Sequence, residues 1–404
     1  MRLVTGSAVT GEDFFGREIE LDHLLQKVIN GDHILLTGQR RMGKTSLARE
    51  LGRQLEERDW VSIYVDVEGA SSIKDLIRKI GHAIFQIEPK AKQVLRSIGK
   101  TIQRIEKVEA FDFSLQLGEL LDSGSWRELG SQLFEICRKH DKNVFLVIDE
   151  LPILLSRFEK QNDSSEEIEM LLSWFRAELQ MVQDTELVVL FSGSIGLVPL
   201  VTRLGISDRI NHLYQFRLGP WNEKTCIQCL KCLSESYELP LDENVLQAMV
   251  DRLGIGIPSH IQLFFDRIRI HMLMNDLIRV TESDIDLVYS KDLLGPPSSK
   301  DLYHFESRLS DALNDQTYEI AMKILTEAAV RDVFSDRSKR ALISMYEKVT
   351  ESSVEKVAWA LDTLEQDEYL ERDGSGYVFK SKLLKDWWTV RFEHSYKPLN
   401  DSHG

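Results

Sequence analysis

The sequence predicts an α/β fold in which a parallel sheet flanked by helices is followed by a helical segment and a C-terminal helix–helix–helix–hairpin. Short apolar runs alternate with helical patterns through residues 1–218. A helical period takes over beyond residue 219, and a turn-rich hairpin pattern follows the last helical patterns but one. With 404 residues, 43% of them hydrophobic and 28% charged, the chain can build more than one core.

The strands are expected at HILLTG (33–38), VSIYVDV (61–67), VFLVID (144–149) and LVVLFSG (187–193). None alternates cleanly between apolar and polar residues, as expected for strands covered on both faces. The interval between the second and third is too long for one crossover and marks an insertion at about 70–130. That insertion carries a basic amphipathic helix pattern from Ser71 to Lys107 and a short alternating piece, AFDFSLQLG (110–118). Leu218-Gly219-Pro220 closes the α/β part, Asn222 caps a helix running to about Tyr237, and Pro258 opens another. The run GPPSS (295–299) reads as a hinge or linker. Helical patterns follow at about 304–331, 336–347 and 351–366. Two short strands then flank the turn Asp373-Gly374-Ser375-Gly376, and LLKDWWTVRF forms a last helix. This is the order of a winged helix. The expected domains are therefore an α/β core (1–218), a helical lid (219–294), a winged helix (300–395) and a tail (396–404).

Fifty basic against sixty-five acidic residues give a net charge of −15, which excludes a protein that coats nucleic acid indiscriminately. Cys137, Cys226, Cys229 and Cys232 are too few for a disulfide framework and fit a reducing cytosol. No apolar run is long enough to span a bilayer, and the first residues lack a signal-peptide pattern, so a cytoplasmic location without membrane contact is expected. The series Cys226, Cys229, Cys232 has cluster-like spacing but no fourth cysteine, and reads as one apolar side of a helix.

The chemistry is carried by Gly38-Gln39-Arg40-Arg41-Met42-Gly43-Lys44-Thr45, a G-x4-G-K-T loop between a strand and a helix starting at Ser46. Glycines let such a loop wrap an anion so that successive N–H groups face phosphate oxygens, and the helix adds its positive end. Lys44 is placed to reach the β- and γ-phosphates, and the Thr45 hydroxyl to ligate Mg²⁺. The strand VFLVID ends in Asp149 and Glu150, at the carboxyl edge where such sheets bind ligands. Asp149 is assigned to Mg²⁺ and Glu150 to polarising an attacking water, so hydrolysis is expected as well as binding. Ser192 or Ser194, at the end of LVVLFSGS, is a candidate sensor of the γ-phosphate.

Phe15-Gly16-Arg17-Glu18, GQRRMGKTSL, LVIDE and LFSGS together resemble the archaeal-type ATPases related to the AAA+ proteins, in the STAND branch and near the origin-recognition ATPases. The resemblance covers about residues 1–290 and implies a P-loop NTPase core of AAA+-like (ASCE) type, with ATP as ligand. It implies that Phe15, Gly16 and Arg17 lie beside the adenine and that Pro258, in Gly256-Ile257-Pro258, faces the nucleotide from the lid. Ser259 and His260 stand where most AAA+ proteins carry a sensing arginine, a departure from the pattern. Arg209 is the candidate arginine finger supplied to a neighbouring copy, with Arg203 and Arg217 as alternatives; pairing with a surface acid accounts for Arg209 equally well.

Lys92, Arg96, Lys100 and Arg104 recur at helical spacing within a stretch of nine Lys or Arg and three acids (74–107). This stripe suits nucleic-acid phosphates or an acidic partner, and a solvated helix face is the simpler account. In ESSVEKVAWALDTLEQ, Glu351, Glu355, Asp362 and Glu365 face a single Lys356, which disfavours insertion of this helix into a DNA groove. The expectation is an ATP-dependent switch that assembles as a homo-oligomer and controls a protein effector, by family analogy in a defence-type module. The alternatives are a DNA-directed ATPase and a scaffold that holds ATP without turnover.

Overall fold

A computed structural model describes residues 1–87, 121, 125–162, 165–180, 186–193, 197–347, 352–374 and 376–399. They form two compact units, one of Arg17–Thr37 with Lys44–Arg217, the other of Met1–Gly16, Gly38–Gly43 and Leu218–Gly404.

The first unit is built on five parallel strands, β1 (Ile34–Thr37), β2 (Val61–Asp66), β3 (Val144–Asp149), β4 (Leu187–Ser192) and β5 (Tyr214–Arg217), in the order β2-β3-β4-β1-β5. Central strands β3 and β4 are buried at every position, while edge strand β5 alternates half-buried and exposed residues. That contrast is what covering the middle of a sheet on both faces requires. β5 is an addition to the expected strands; its sequence, YQFR, is too short and too polar to stand out as an apolar run. Because all strands run in one direction, β1, β3 and β4 end at one edge, with Asp149 in register with Ser192 and Ser192 with Leu36. Within the expected insertion, helices Ile73–Ile87 and Trp126–Arg138 pack against each other. The alternating piece 110–118 and the stripe residues Lys92, Arg96, Lys100 and Arg104 lie outside the described residues, as does Ser194.

The second unit has its own apolar core, in which helices Glu223–Ser236, Glu243–Leu253 and Pro258–Met274 join the C-terminal elements. Asn222 caps the first of these by accepting the Thr225 amide at 2.9 Å, and Pro258 is the first residue of the third. Cys226 and Cys229 are buried in this core, where burial pushes the Cys229 thiol well above the usual range. They act as small apolar side chains.

The run GPPSS is no linker: Gly295 precedes a helix, Pro296–Ala312, whose first turn takes the two prolines. Proline has no N–H to lose and its fixed φ suits that turn. The single pattern expected at 304–331 is two helices, Pro296–Ala312 and Asp315–Val330, separated at Leu313. Asn314 ends the continuity by turning extended and accepting the Thr317 amide at 3.0 Å.

Helices Asp336–Glu347 and Ser353–Gln366 follow, then β7 (Leu370–Asp373), β8 (Gly376–Phe379) and helix Lys382–Phe392. The two-residue strand β6 (Phe334–Ser335) pairs with β8, giving a small antiparallel sheet ordered β6-β8-β7. Trp387 and Trp388 are buried within the core of this unit. Among the described residues no helix is long and apolar enough to cross a membrane.

Candidate functional site

The loop after β1 has an unusual backbone. Gly38 sits at φ 145°, Arg41 at 70° and Gly43 at 91°. A Cβ on Gly38 would lie 2.5 Å from the Leu218 carbonyl oxygen, so no larger residue fits there. Arg41, a non-glycine residue in the left-handed region, is tied by its guanidinium to the Thr5 carbonyl at 2.9 Å. Met42 is fully buried, Gln39 is 2% exposed and Arg40 half-buried. The helix begins at Lys44, which puts Lys44, Thr45 and Ser46 in its first turn. That turn carries the positive end of the helix dipole.

At the carboxyl edge of the sheet, Asp149 is 2% exposed. Its carboxylate accepts hydrogen bonds from the Thr45 hydroxyl at 2.9 Å, the Tyr64 hydroxyl at 2.6 Å and the Glu150 amide at 3.0 Å, and a further one from the Ser192 hydroxyl. Four donors converge on this one buried carboxylate and hold it still. The effect on Tyr64 is reciprocal: burial first, then the Asp149 charge, raises its phenol far above the ordinary value. Arg49 stacks over the Tyr64 ring, 4.3 Å from its centre. A carboxylate and hydroxyls within hydrogen-bond reach are hard oxygen donors, the set that suits Mg²⁺.

Glu150 follows directly and lies in the left-handed region at φ 64°. Such a conformation costs about 1–3 kcal/mol and recurs where a side chain is aimed for chemistry. The turn is held by the Ile153 amide, which donates to the Glu150 carbonyl at 3.2 Å, and by Gly193, where a Cβ would meet Pro152 at 2.3 Å. Ser192, the described one of the two candidate sensors, donates its hydroxyl hydrogen to Asp149.

Tyr64 and Gly193 escaped the sequence reading. Tyr64 lies inside a strand run with no motif around it, and only the register of β2 with β3 brings its hydroxyl to Asp149. The remaining candidates are distributed as follows. Phe15 meets Trp221 edge to face at 5.9 Å, and Gly16, at φ 70°, leaves no room for a Cβ beside Thr225 at 2.7 Å. Arg17 is 4% exposed and pairs with Glu20 at 2.8 Å at the start of helix Glu18–Ile29. Arg209 binds Glu169 at 2.8 Å and Asp208 at 2.7 Å, Arg203 pairs with Glu159, and Arg217 is exposed on β5.

Residues 29–201 match the family described as AAA domain. The core is an AAA-type P-loop fold. Of the solved structures, the Walker-type ATPase of Pyrococcus abyssi is similar across 96% of this chain and 99% of its own, at 19% identity and a TM-score of 0.59. The Aeropyrum pernix ORC2 protein, solved as ADPNP–ADP complexes, matches 95% of this chain and 97% of its own at 12% identity and a TM-score of 0.46. The Thermotoga maritima RuvB Holliday junction branch migration motor matches 98% and 99% at 14% identity and a TM-score of 0.44. No curated protein matches this chain. In the AAA-type core the G-x4-G-K-T loop follows β1, and the paired acids end β3.

Proposed function

We propose that this protein binds and hydrolyses ATP and works as a molecular switch of the STAND type. The observation that carries the reading is the 2.9 Å bond from Thr45 to Asp149 with Glu150 next in the chain, since it joins the phosphate loop's hydroxyl to the acids of β3. Loop amides and Lys44 hold the β- and γ-phosphates. Thr45 and Asp149 are the residues that would hold Mg²⁺, which when bound neutralises charge on the phosphates. Tyr64 and Ser192 keep Asp149 oriented. Glu150 orients a water for in-line attack on the γ-phosphorus. The new bond joins water oxygen to phosphorus, the bond to the β-bridging oxygen breaks, ADP leaves with that electron pair, and Glu150 takes up the water proton.

In this reading residues 219–294 act as the lid, 300–395 as a winged helix and 396–404 as a tail, and copies of the chain assemble with ATP. The pairing β6-β8-β7 supports the winged helix. Glu355 and Glu365 are exposed on helix Ser353–Gln366, so a protein effector suits this surface better than DNA. Calorimetry with MgATP and a phosphate-release assay test the site. Wild type is expected to bind and turn over, while Glu150→Gln binds and accumulates the unreacted complex. Binding without turnover in wild type would leave only a scaffold.

A further inference from the structure

Gln39, the second residue of the phosphate loop, is used in a way that the motif does not call for. Its side-chain amide donates to the main-chain carbonyl of Glu368 at 3.2 Å, in a buried contact within the second unit. Glu368 lies between helix Ser353–Gln366 and β7, with φ at 61°, which turns its carbonyl away from the helical direction. The corner around it is tightly braced. The amides of Asp367, Glu368 and Tyr369 donate to the carbonyls of Thr363, Glu365 and Leu364 at 2.9, 3.1 and 2.9 Å. The Tyr369 hydroxyl donates to the Phe305 carbonyl at 2.8 Å, which ties the corner to helix Pro296–Ala312. Lys380 pairs with the Glu368 carboxylate at 3.2 Å, and its amide donates to the Tyr369 carbonyl at 3.0 Å, which ties in the residue after β8.

A corner bonded on three sides moves as a block. A shift of the loop backbone at residue 39 therefore displaces the block or breaks the Gln39 side-chain bond to it. Gln39 is 2% exposed, so water is not at hand to replace that bond. That bond is thus a direct physical link between loop and corner, of the kind through which coupling between sites is carried.

Resting on the ATP-binding reading above, we infer that Gln39 is the joint through which nucleotide occupancy of the loop is transmitted to residues 296–395. By reciprocity, a partner that grips the C-terminal segment changes nucleotide affinity by the same factor.

Hydrogen–deuterium exchange of the full-length protein, with and without saturating MgATP, tests this, with occupancy measured in parallel by a fluorescent ATP analogue. In wild type, nucleotide is expected to change the exchange of amides 366–380 by about tenfold, within the usual range of such couplings. In Gln39→Ala, and in Gln39→Glu, which keeps the length but loses the donor, the nucleotide-free exchange of 366–380 rises and the response to bound MgATP disappears. An unchanged response in both variants overturns the joint, because it leaves Gln39 a merely structural contact. So does an unresponsive wild type that has bound nucleotide. A wild type that binds no nucleotide overturns the site itself, and the joint with it.

Discussion

A single carboxylate organises the candidate site, and its neighbours differ sharply in what their loss should do. Lys44→Ala removes the only ammonium group of the G-x4-G-K-T motif, and MgATP binding is expected to fall below detection in calorimetry. Tyr64→Phe and Ser192→Ala each take one donor from Asp149 and leave the others. Each is expected to lower turnover by about 10-fold while nucleotide affinity changes less, since a buried charge-assisted bond is worth about 1.5–3 kcal/mol. Steady-state kinetics against a fluorescent-nucleotide titration separates the two effects. His260 makes a different kind of prediction. It is 3% exposed, neither ring nitrogen has a hydrogen-bond partner among the described residues, and burial, reinforced by the Arg41 charge, lowers its pKa to about 3. The unfolded chain takes up this proton near pH 6.5 and the folded chain does not, so the neutral ring's stabilisation is complete above pH 6.5 and is lost as pH falls towards 3. Its slope is at most about 1.4 kcal/mol per pH unit, and His260→Leu is expected to flatten the dependence of Tm on pH between 6.5 and 5.

At the scale of elements, close backbone approaches fix where helices and strands meet. Gly256 accepts the Trp221 amide at 2.8 Å, and a Cβ there would lie 2.3 Å from the Trp221 carbonyl oxygen. Gly256→Ala is expected to destabilise the second unit by about 1–3 kcal/mol, read as a lower midpoint in urea. Gly130, on helix Trp126–Arg138, plays the same part in the first unit, where a Cβ would meet the Trp174 ring at 2.5 Å. The strands β1 to β4 were legible because continuous apolar runs are what buried parallel strands demand. β5 and β6 were not, since YQFR and FS take their conformation from the neighbours that they pair with, Ile34–Thr37 and Gly376–Tyr377. GPPSS misled for a local reason: proline and glycine punctuate loops and also begin helices, and only the residues that follow separate the two.

For the whole molecule, the proposed switch predicts assembly. Light scattering is expected to give a larger mass with a non-hydrolysable ATP analogue than without it, and Arg209→Ala is expected to bind ATP yet lose turnover. Arg209 is held by Glu169 and Asp208 in two solvent-accessible ion pairs, which cost little to break. Normal turnover in Arg209→Ala removes it as the finger and leaves these pairs as its role. The sequence alone determined the G-x4-G-K-T loop, the acids at the end of β3 and the strands β1 to β4, because each is a local pattern written in consecutive residues. The tertiary structure alone decided what surrounds Asp149 and what Gln39 holds. Tyr64 and Ser192 reach that carboxylate through strand register, and Glu368 reaches the loop across more than three hundred residues of chain. Contacts of that kind depend on how buried elements pack, and no local pattern encodes them.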